Sequence, residues 1–229
     1  MYKVGIQYKS DKIIYHGYNR FYDYFLVPLR NMSINVLEIG VYKGRSIKMW
    51  NDFFTNAKIY GLDIDEEYTH EKGKVIKGDQ SDINVLMKLS KEIGKCMVII
   101  DDGSHVPEHQ LIGFNYLFEN CLEFGGIYII EDIETSYWGN GELYGYTVKA
   151  GIKKKNNIVR IFKKIVDIVN REFLLEENIA IIKKSQIKFE NLKYISMITF
   201  GSNCIIIKKM TLDEYERYGT RKYRFAEFL

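Results

Sequence analysis

The stretch from Val36 to Asp65 places the tightest constraint on how this chain folds. It reads VLEIGVYKGRSIKMWNDFFTNAKIYGLDID. An apolar run is followed by a turn from Gly40 to Gly44, an amphipathic stretch, and a second apolar run that is closed by Asp63. This order predicts strand, glycine loop, helix and strand, which is a βαβ unit of a doubly wound α/β fold.

Several residues of this unit indicate a ligand site. Gly40 and Gly44 allow the backbone to approach a ligand where a Cβ atom would collide. Glu38 lies inside the first strand, an unfavourable position for a carboxylate unless it meets a positive or hydrogen-bonding group. Asp63 ends the second strand, where an acid can accept hydrogen bonds from ribose hydroxyls. Together with Ser46 at the helix start, these residues form the predicted cofactor-binding site.

The glycine spacing narrows the choice of cofactor. The loop has the pattern E-x-G-x-x-x-G rather than G-x-G-x-x-G, and the chain contains no G-x-x-x-x-G-K-[ST] segment. The spacing therefore argues against a dinucleotide. It resembles motif I of the class I S-adenosylmethionine-dependent methyltransferases. In that family the acid of the first strand faces the methionine end of the cofactor, and the acid after the second strand holds the ribose. A βαβ unit without a cofactor is the alternative.

Composition limits the classes of function. The 229 residues, 46% of them hydrophobic, suffice for one sizeable core. A net charge of +3 is too small to indicate a nucleic acid partner. No apolar run is long enough for a membrane span, and the N-terminus lacks the apolar centre of a signal peptide, so a cytoplasmic protein is expected. Buried free thiols are predicted for Cys96, Cys121 and Cys204.

Two further segments are candidates for contact with the cofactor. Residues 1–30 predict an N-terminal cap that either covers the sheet edge or closes over the cofactor. In the second case Lys12 and Tyr18 would lie near the methionine end. Asp79 and Gln80 follow a predicted third strand. There they either contact an adenine amino group or act as turn residues that bond their own backbone.

Two acid pairs follow two unbroken apolar runs. Asp101 and Asp102 end one run, with His105 three positions further on, and Glu131 and Asp132 end the next. Neighbouring parallel strands bring the four carboxylates to one edge of the sheet, where they repel each other unless a cation joins them. Oxygen ligands favour Mg²⁺, and zinc is disfavoured because no second His or Cys lies at ligand spacing. Solvated or turn-capping acids are the alternative.

The rest of the chain completes a single predicted domain, residues 1–229. Residues 138–156 are rich in glycine and predict a mobile lid beside the acids. One helix and three strands are expected after it, over residues 157–173, 179–182, 194–200 and 204–207. A short turn with one glycine joins the last two strands as a hairpin.

Taken in order, the segments SDK, HGY, VLEIGVYKGRSIKMW, GLDID, IIDDGSH and IIEDIETSYW resemble the metal-dependent sugar O-methyltransferases of macrolide biosynthesis. Rhamnosyl O-methyltransferases and cephalosporin hydroxylase-like proteins are related to them. The resemblance spans residues 8–138. It implies a Rossmann-like, mostly parallel sheet of seven strands that ends in an antiparallel hairpin. It also implies that Asp102, Glu131 and Asp132 bind Mg²⁺ and that His105 is the general base.

The expected function is an S-adenosylmethionine-dependent, Mg²⁺-assisted O-methyltransferase that acts on a sugar hydroxyl of a surface glycan or natural product. A metal ion makes a hydroxyl more acidic, and histidine, which titrates near neutral pH, can accept its proton. Three alternatives stay open: a methyltransferase of non-sugar hydroxyls, a nucleotide-dependent oxidoreductase, and a non-catalytic Rossmann-like binding protein. Calcium or manganese in place of magnesium, and a homo-oligomeric assembly, are also left open.

Overall fold

A large β-sheet forms the centre of the molecule. The computed structural model describes residues 1–173 and 186–219. Its strands are β1 (Asn35–Ile39), β2 (Lys58–Asp63), β3 (Tyr68–His70), β4 (Gly73–Lys77), β5 (Cys96–Asp101), β6 (Leu122–Glu131), β7 (Gly141–Leu143), β8 (Tyr146–Val148), β9 (Ile195–Gly201) and β10 (Cys204–Lys209). Eight of them form one sheet in the order β3-β4-β2-β1-β5-β6-β10-β9, and β7 and β8 pair separately.

The pairing confirms the predicted fold class. Strands β4, β2, β1, β5 and β6 are parallel, and β10 and β9 add an antiparallel hairpin at one edge. The predicted count of seven strands is low by one, because β3 adds an antiparallel strand to the other edge. Residues 68–70 are too few to show a hydrophobic period, so no pattern in the sequence predicts this strand.

Helices cover both faces of the sheet. Their bounds are α1 (Tyr2–Gln7), α2 (Asp11–Ile14), α3 (Asn19–Leu26), α4 (Arg45–Phe53), α5 (Ile83–Ile93), α6 (Pro107–Asn120), α7 (Ile158–Lys164), α8 (Phe189–Leu192) and α9 (Leu212–Glu214). Segments of 3₁₀ helix lie at Val27–Leu29, Ile133–Tyr137 and Val166–Phe173, and a π-helical turn lies at Tyr215–Gly219.

Alternation along the central strands divides the apolar residues between two cores. Leu37 of β1 and Ile99 of β5 pack into one core with α5, α6 and α7. Their neighbours Val36 and Val98 pack into the other core with α3 and α4. Both faces of these strands are therefore covered, which is why their sequences read as continuous apolar runs rather than as alternating ones.

Several predicted elements differ from the structure in their bounds. Within the predicted cap, α3 ends at Leu26 and continues as a 3₁₀ segment, because Pro28 cannot donate a helical hydrogen bond. The expected helix over residues 157–173 changes to 3₁₀ geometry after Lys164. Residues 1–18, which show no clear period, contain α1 and α2. The strand expected over residues 179–182 lies outside the described residues.

The strand ends bring the candidate residues to one edge of the sheet. Asp63, Asp101 and Glu131 are the last residues of β2, β5 and β6. Parallel pairing sets Ile39 of β1 against Asp101, and Asp101 against Ile130 of β6. The three cysteines are buried free thiols, as predicted. None of the helices in the described ranges has the length and apolar character needed to cross a bilayer.

Candidate active site

A buried lysine lies at the centre of the acid-rich edge. Lys12 of α2 places its Nζ atom 3.2 Å from Glu38 Oε1 and 2.8 Å from Glu131 Oε2, and it also contacts the Asp102 carboxylate. Lys12 is 1% exposed. Burial lowers the pKa of Lys12, but the three carboxylates outweigh burial and raise it well above its ordinary value. The side chain is therefore an ammonium ion that neutralises part of the cluster.

Glu131 is enclosed by protein groups on both oxygens. Oε2 accepts from Lys12, and Oε1 accepts from the hydroxyl of Tyr22. Burial raises the pKa of Glu131, with Asp102 and Asp132 acting in the same direction and Lys12 against them. Its predicted role as a metal ligand stays a prediction, and a metal ion would have to share Oε2 with Lys12.

Three other side chains form a cluster with the chemistry of a cation site. Asp102, His105 and Asp132 each offer one ligand atom, and these atoms lie within 4.8 Å of one another. His105 Nε2 lies 3.7 Å from Asp132 Oδ2. In the part of the chain that the structure describes, no hydrogen-bond partner reaches the buried His105 Nδ1 atom. The carboxylate oxygens of Asp102 and Asp132 are ligands that suit a hard divalent cation.

The second oxygen of Asp132 is fixed by protein donors. Its Oδ1 atom accepts from the Tyr18 hydroxyl at 2.6 Å and from Asn203 Nδ2 at 2.9 Å. The Tyr18 ring is fully buried and stacks between His16 and Tyr22. Because Oδ1 is held in this way, Oδ2 is directed at His105 and is the oxygen left for a ligand.

The loops that carry these groups have strained backbones. His105 and Asp132 adopt positive φ values of 55° and 50°. Left-handed geometry at such residues costs on the order of 1–3 kcal/mol each. The strain is held by neighbours: Thr135 Oγ1 donates to the His105 carbonyl at 2.6 Å, and Gln110 Nε2 donates to the Glu131 carbonyl at 3.0 Å. Strain that is held by the surrounding fold is typical of residues placed for function.

Glu38 links Lys12 to the glycine loop. It is fully buried and accepts from Ser46 Oγ at 2.6 Å and from Trp50 Nε1 at 3.0 Å. Burial raises the pKa of Glu38, while Lys12, Ser46 and Trp50 act to lower it. The acid predicted inside the first strand is thus stabilised by three donors.

The glycine loop is shaped by close approach. Gly40 and Gly44 have φ values of 81° and 69°. A Cβ atom at position 40 would collide with the carbonyl group of Asp102, so the glycine loop and the acid loop are in direct backbone contact. Gly44 precedes the first residue of α4. The positive φ values favour glycine at both positions, and the predicted approach of a ligand to this loop stays a prediction.

Asp63 holds the glycine loop through backbone hydrogen bonds. Its Oδ2 atom accepts from the amides of Val41 at 2.7 Å and Tyr42 at 2.9 Å. Its Oδ1 atom accepts from the amides of Asp65 and Glu66. Burial raises the pKa of Asp63, but these four donors outweigh it and lower the pKa below its ordinary value. They match the roughly four lone-pair sites of a carboxylate. The predicted contact of Asp63 with ribose stays a prediction.

Asp79 and Gln80 lie further along the same edge of the sheet. Asp79 Oδ1 accepts from the amide of Ser81 at 2.8 Å, as in the turn alternative for this residue. Gln80 is buried, donates to Asp101 Oδ1 at 3.0 Å and accepts from the amide of Ser104 at 2.7 Å. Gln80 therefore connects the segment after β4 to the loop that carries Asp102 and His105. Its predicted contact with adenine stays a prediction.

Several residues of the site were not predicted from the sequence. Tyr22 of α3, Trp50 of α4 and Asn203 are not among the predicted site residues, yet each bonds a site carboxylate. One signal was present for Tyr22, because Tyr18 and Tyr22 are four positions apart and lie on one side of a helix. Asn203 carried no such signal, because it reaches Asp132 across 71 positions of sequence.

Comparison with known proteins finds sugar O-methyltransferases. The 8-demethyl-8-alpha-L-rhamnosyl tetracenomycin-C 2'-O-methyltransferase of Streptomyces olivaceus is 36% identical over 144 residues, which are 59% of this chain and 38% of the relative. The L-olivosyl-oleandolide 3-O-methyltransferase of Streptomyces antibioticus is 31% identical over 180 residues, which are 74% of this chain and 46% of the relative. No protein-family model matches the sequence.

A solved structure gives the same result for the fold. The methyltransferase MycE from the mycinamycin biosynthetic pathway, in complex with Mg, SAH and mycinamycin VI, superposes with a TM-score of 0.76 at 27% identity. The match covers 93% of this chain and 55% of MycE. The chain thus spans less than two thirds of the length of each of these proteins. The predicted resemblance to sugar O-methyltransferases and the Rossmann-like methyltransferase fold are both confirmed.

Proposed function

We propose that this chain is a methyltransferase that transfers a methyl group from S-adenosylmethionine to a sugar hydroxyl with the assistance of Mg²⁺. The observation that carries the proposal is the contact between two sites: Lys12 bridges Glu38, beside the glycine loop, to Asp102, beside His105. An enzyme that joins a methyl donor to a hydroxyl needs both reactants held next to each other. The names of the relatives and the ligands of MycE support this assignment.

The glycine loop and its neighbours would hold the methyl donor. The proposed residues are Glu38, Gly40, Gly44, Ser46 and Asp63. S-adenosylmethionine, when bound, supplies a methyl group on a positively charged sulfur. Glu38 places a carboxylate near that charge, and Asp63 keeps the loop in the shape that lets the backbone pass close to a ligand.

Four more residues are proposed to contact the donor, although their polar groups also bond within the protein. Lys12 and Tyr18 would lie at the methionine end, where they hold the acids in place. Asp79 and Gln80 would lie at the adenine end, beyond the third parallel strand. In each case the protein bonds fix the side chain before a ligand arrives, which reduces the entropy lost on binding.

Asp102, Glu131 and Asp132 are the proposed metal ligands. Mg²⁺, when bound, would supply a Lewis acid that lowers the pKa of an acceptor hydroxyl. The donor set fits such an ion, because Asp132 directs its unshared oxygen into the cluster and Asp102 lies in the same group. Lys12 neutralises part of the negative charge and so limits the repulsion between the carboxylates.

His105 is the proposed general base. Its Nε2 atom lies 3.7 Å from Asp132 Oδ2, close enough for the carboxylate to orient the ring and to stabilise its protonated form. The Thr135 hydroxyl holds the His105 carbonyl and thereby the strained backbone. An acceptor hydroxyl beside the acids could then pass its proton to His105 as the methyl group arrives.

The segments around the site complete the proposal. Residues 1–30 would act as a cap and residues 138–156 as a lid of one domain that spans the chain. We infer that the enzyme has no nucleic acid partner, since the net charge is small. We also infer that it is cytoplasmic. A homo-oligomeric assembly stays a prediction.

Calorimetric titration with S-adenosylhomocysteine, with and without Mg²⁺, tests the donor site. Micromolar binding by the wild-type chain is expected. Absence of binding under both conditions would contradict the proposal. His105→Ala and Asp102→Ala should retain this binding but lose methyl transfer to sugars. The matched control Glu92→Gln, which removes an exposed carboxylate from α5, should change neither property.

A further inference from the structure

A small hairpin places an exposed tyrosine over the proposed catalytic base. Strands β7 and β8 pair in register Leu143 to Tyr146, so that Tyr144 and Gly145 form the turn. The Tyr144 ring centroid lies 5.7 Å from that of His105 at an interplanar angle of 54°. The side chain is nevertheless 71% exposed. Tyr144 therefore meets the site on one side and solvent on the other.

The base of the hairpin is anchored, which fixes the position of this tyrosine. Val148 and Ala150 are buried in a small core with Val106, and Trp138 and Tyr146 pack against it. The Tyr146 ring also contacts His109 edge-on at 5.2 Å. Further along, the amide of residue 151 donates to the carbonyl of residue 136 at 2.9 Å. The turn thus projects from an ordered base that is attached to the loop of His105.

Tyr144 occupies a backbone position that does not suit it. Its φ is 49°, and Gly145 follows with a φ of 78°. Two-residue hairpin turns with positive φ values favour Asn, Asp or Gly at both positions, and a bulky side chain there is an outlier. A large apolar ring that is both strained and exposed lowers stability. The strain and the exposure of Tyr144 are explained if its ring binds a ligand.

A second tyrosine shares these properties. Tyr42, in the glycine loop, is 70% exposed and has a φ of 48°. Burial on one side raises the pKa of the Tyr144 phenol, and the charges of Asp102, Asp132, Asp11 and Tyr42 act in the same direction. The Tyr144 ring therefore borders the space in front of His105 and the acids.

We propose that Tyr144 is the acceptor-binding platform, on which the pyranose ring of the substrate packs while its hydroxyl edge points to His105 and Asp102. This inference rests on the proposed function. A pyranose has a face of C–H groups and a rim of hydroxyls, so it can contact an aromatic ring and a carboxylate cluster at once.

Binding of pyranosides to the chain with saturating Mg²⁺ and S-adenosylhomocysteine tests the platform. The probes are methyl α-L-rhamnopyranoside and methyl β-D-glucopyranoside, with catechol as a planar phenolic comparison, observed by saturation-transfer NMR and titration. Tyr144→Ala should weaken pyranoside binding about tenfold or more, and Tyr144→Phe should retain it. Tyr218→Ala, which removes an exposed tyrosine from the π-helical turn Tyr215–Gly219, outside the cap and the lid, should have no effect.

The outcomes separate the platform from the proposed function. If the wild-type chain binds S-adenosylhomocysteine but neither pyranoside, or binds only catechol, the platform is wrong and the donor site stands. Unchanged pyranoside affinity in Tyr144→Ala also overturns it. Slower methyl transfer at saturating acceptor with unchanged affinity would make Tyr144 a positioning residue for His105. Loss of S-adenosylhomocysteine binding in the wild-type chain would instead contradict the methyltransferase proposal.

Discussion

Lys12 and Glu131 are 119 positions apart in the sequence, yet Lys12 Nζ donates to Glu131 Oε2 at 2.8 Å inside the protein. The lysine comes from a short N-terminal helix, and the glutamate ends a central strand. A cation from the start of the chain therefore compensates acids at the edge of the sheet. The arrangement of the candidate site therefore depends on packing of the N-terminal segment against the sheet.

We expect Lys12→Met to destabilise the protein. Removing one partner of a buried ion pair leaves an uncompensated charge, which costs about 3 kcal/mol or more. The free energy of unfolding, measured with urea in the presence of EDTA, should fall by this amount. Adding Mg²⁺ should restore part of it, because a divalent cation can take over the compensation of Asp102 and Glu131.

Lys74→Met is the matched control for that change. Lys74 pairs with Glu92 on the surface, where the two side chains are 40% and 45% exposed. Its loss should change the free energy of unfolding by less than about 0.5 kcal/mol. Equal losses for Lys12→Met and Lys74→Met would show that the buried lysine does not stabilise the acid cluster.

Asp63→Asn should reduce stability in a way that depends on pH. The pKa of Asp63 is lowered in the folded protein by four backbone donors. Its ionised form therefore contributes stability above the unfolded pKa, about 4, and this contribution is lost as the pH falls through the lower folded value. Urea unfolding should show a gap between wild type and variant at pH 7 that narrows toward pH 3.

Asp65→Asn provides the comparison for Asp63, since it removes an exposed carboxylate two residues away. It should follow the wild-type curve at every pH. A gap for Asp63→Asn that stays constant from pH 7 to pH 3 would mean that the effect comes from geometry rather than from charge.

Gly40→Ala should disrupt both halves of the site. A Cβ atom at this position collides with the Asp102 carbonyl group, and the φ of 81° disfavours any side chain. We expect a loss of about 3 kcal/mol in unfolding free energy, together with weaker binding of S-adenosylhomocysteine and Mg²⁺ in separate titrations.

Gly94→Ala separates the effect of backbone strain from the effect of the collision with a neighbouring loop. Gly94 has a φ of 74°, but nothing lies within 4 Å of a Cβ atom placed there. Its ψ of −152° lies in a region that is essentially restricted to glycine, so the variant should lose about 1–3 kcal/mol through backbone strain alone and bind both ligands normally. If Gly40→Ala behaved like Gly94→Ala, the contact between the two loops would have no role in binding.

Asp132→Asn should weaken Mg²⁺ binding more than it weakens S-adenosylhomocysteine binding. The variant keeps an oxygen that can accept from Tyr18 and Asn203, but the group facing His105 loses its charge. Calorimetry with Mg²⁺ alone should show about a tenfold loss of affinity or more. Equal Mg²⁺ affinity in wild type and variant would remove Asp132 from the metal site.

Local pattern was enough to predict the central part of the fold. The apolar runs before Asp63, Asp101 and Glu131 are strands, and their acids meet at one edge as expected. The helix from Ile83 to Ile93 begins after Asp82, a typical N-cap residue whose side chain accepts from the amide of residue 84. These features depend on residues close together in sequence.

The partners of the acids depend on distant contacts and could not be read in the same way. Lys12 was predicted near a cofactor, but nothing local shows that it meets three carboxylates. Tyr144 gave no signal either, since its strained turn and its distance from His105 exist only in the folded chain. Sequence pattern located the acids, and tertiary structure supplied the groups that hold them.

The hairpin formed by β7 and β8 has a consequence for engineering this protein. Among the described strands, β7 and β8 pair only with each other. Their length and composition can therefore change without shifting the register of the strands that end in Asp101 and Glu131. Grafting a different turn between Leu143 and Tyr146 is thus a modular way to redirect the proposed substrate choice, because Val148 and Ala150 keep their packing against Val106 beside His105.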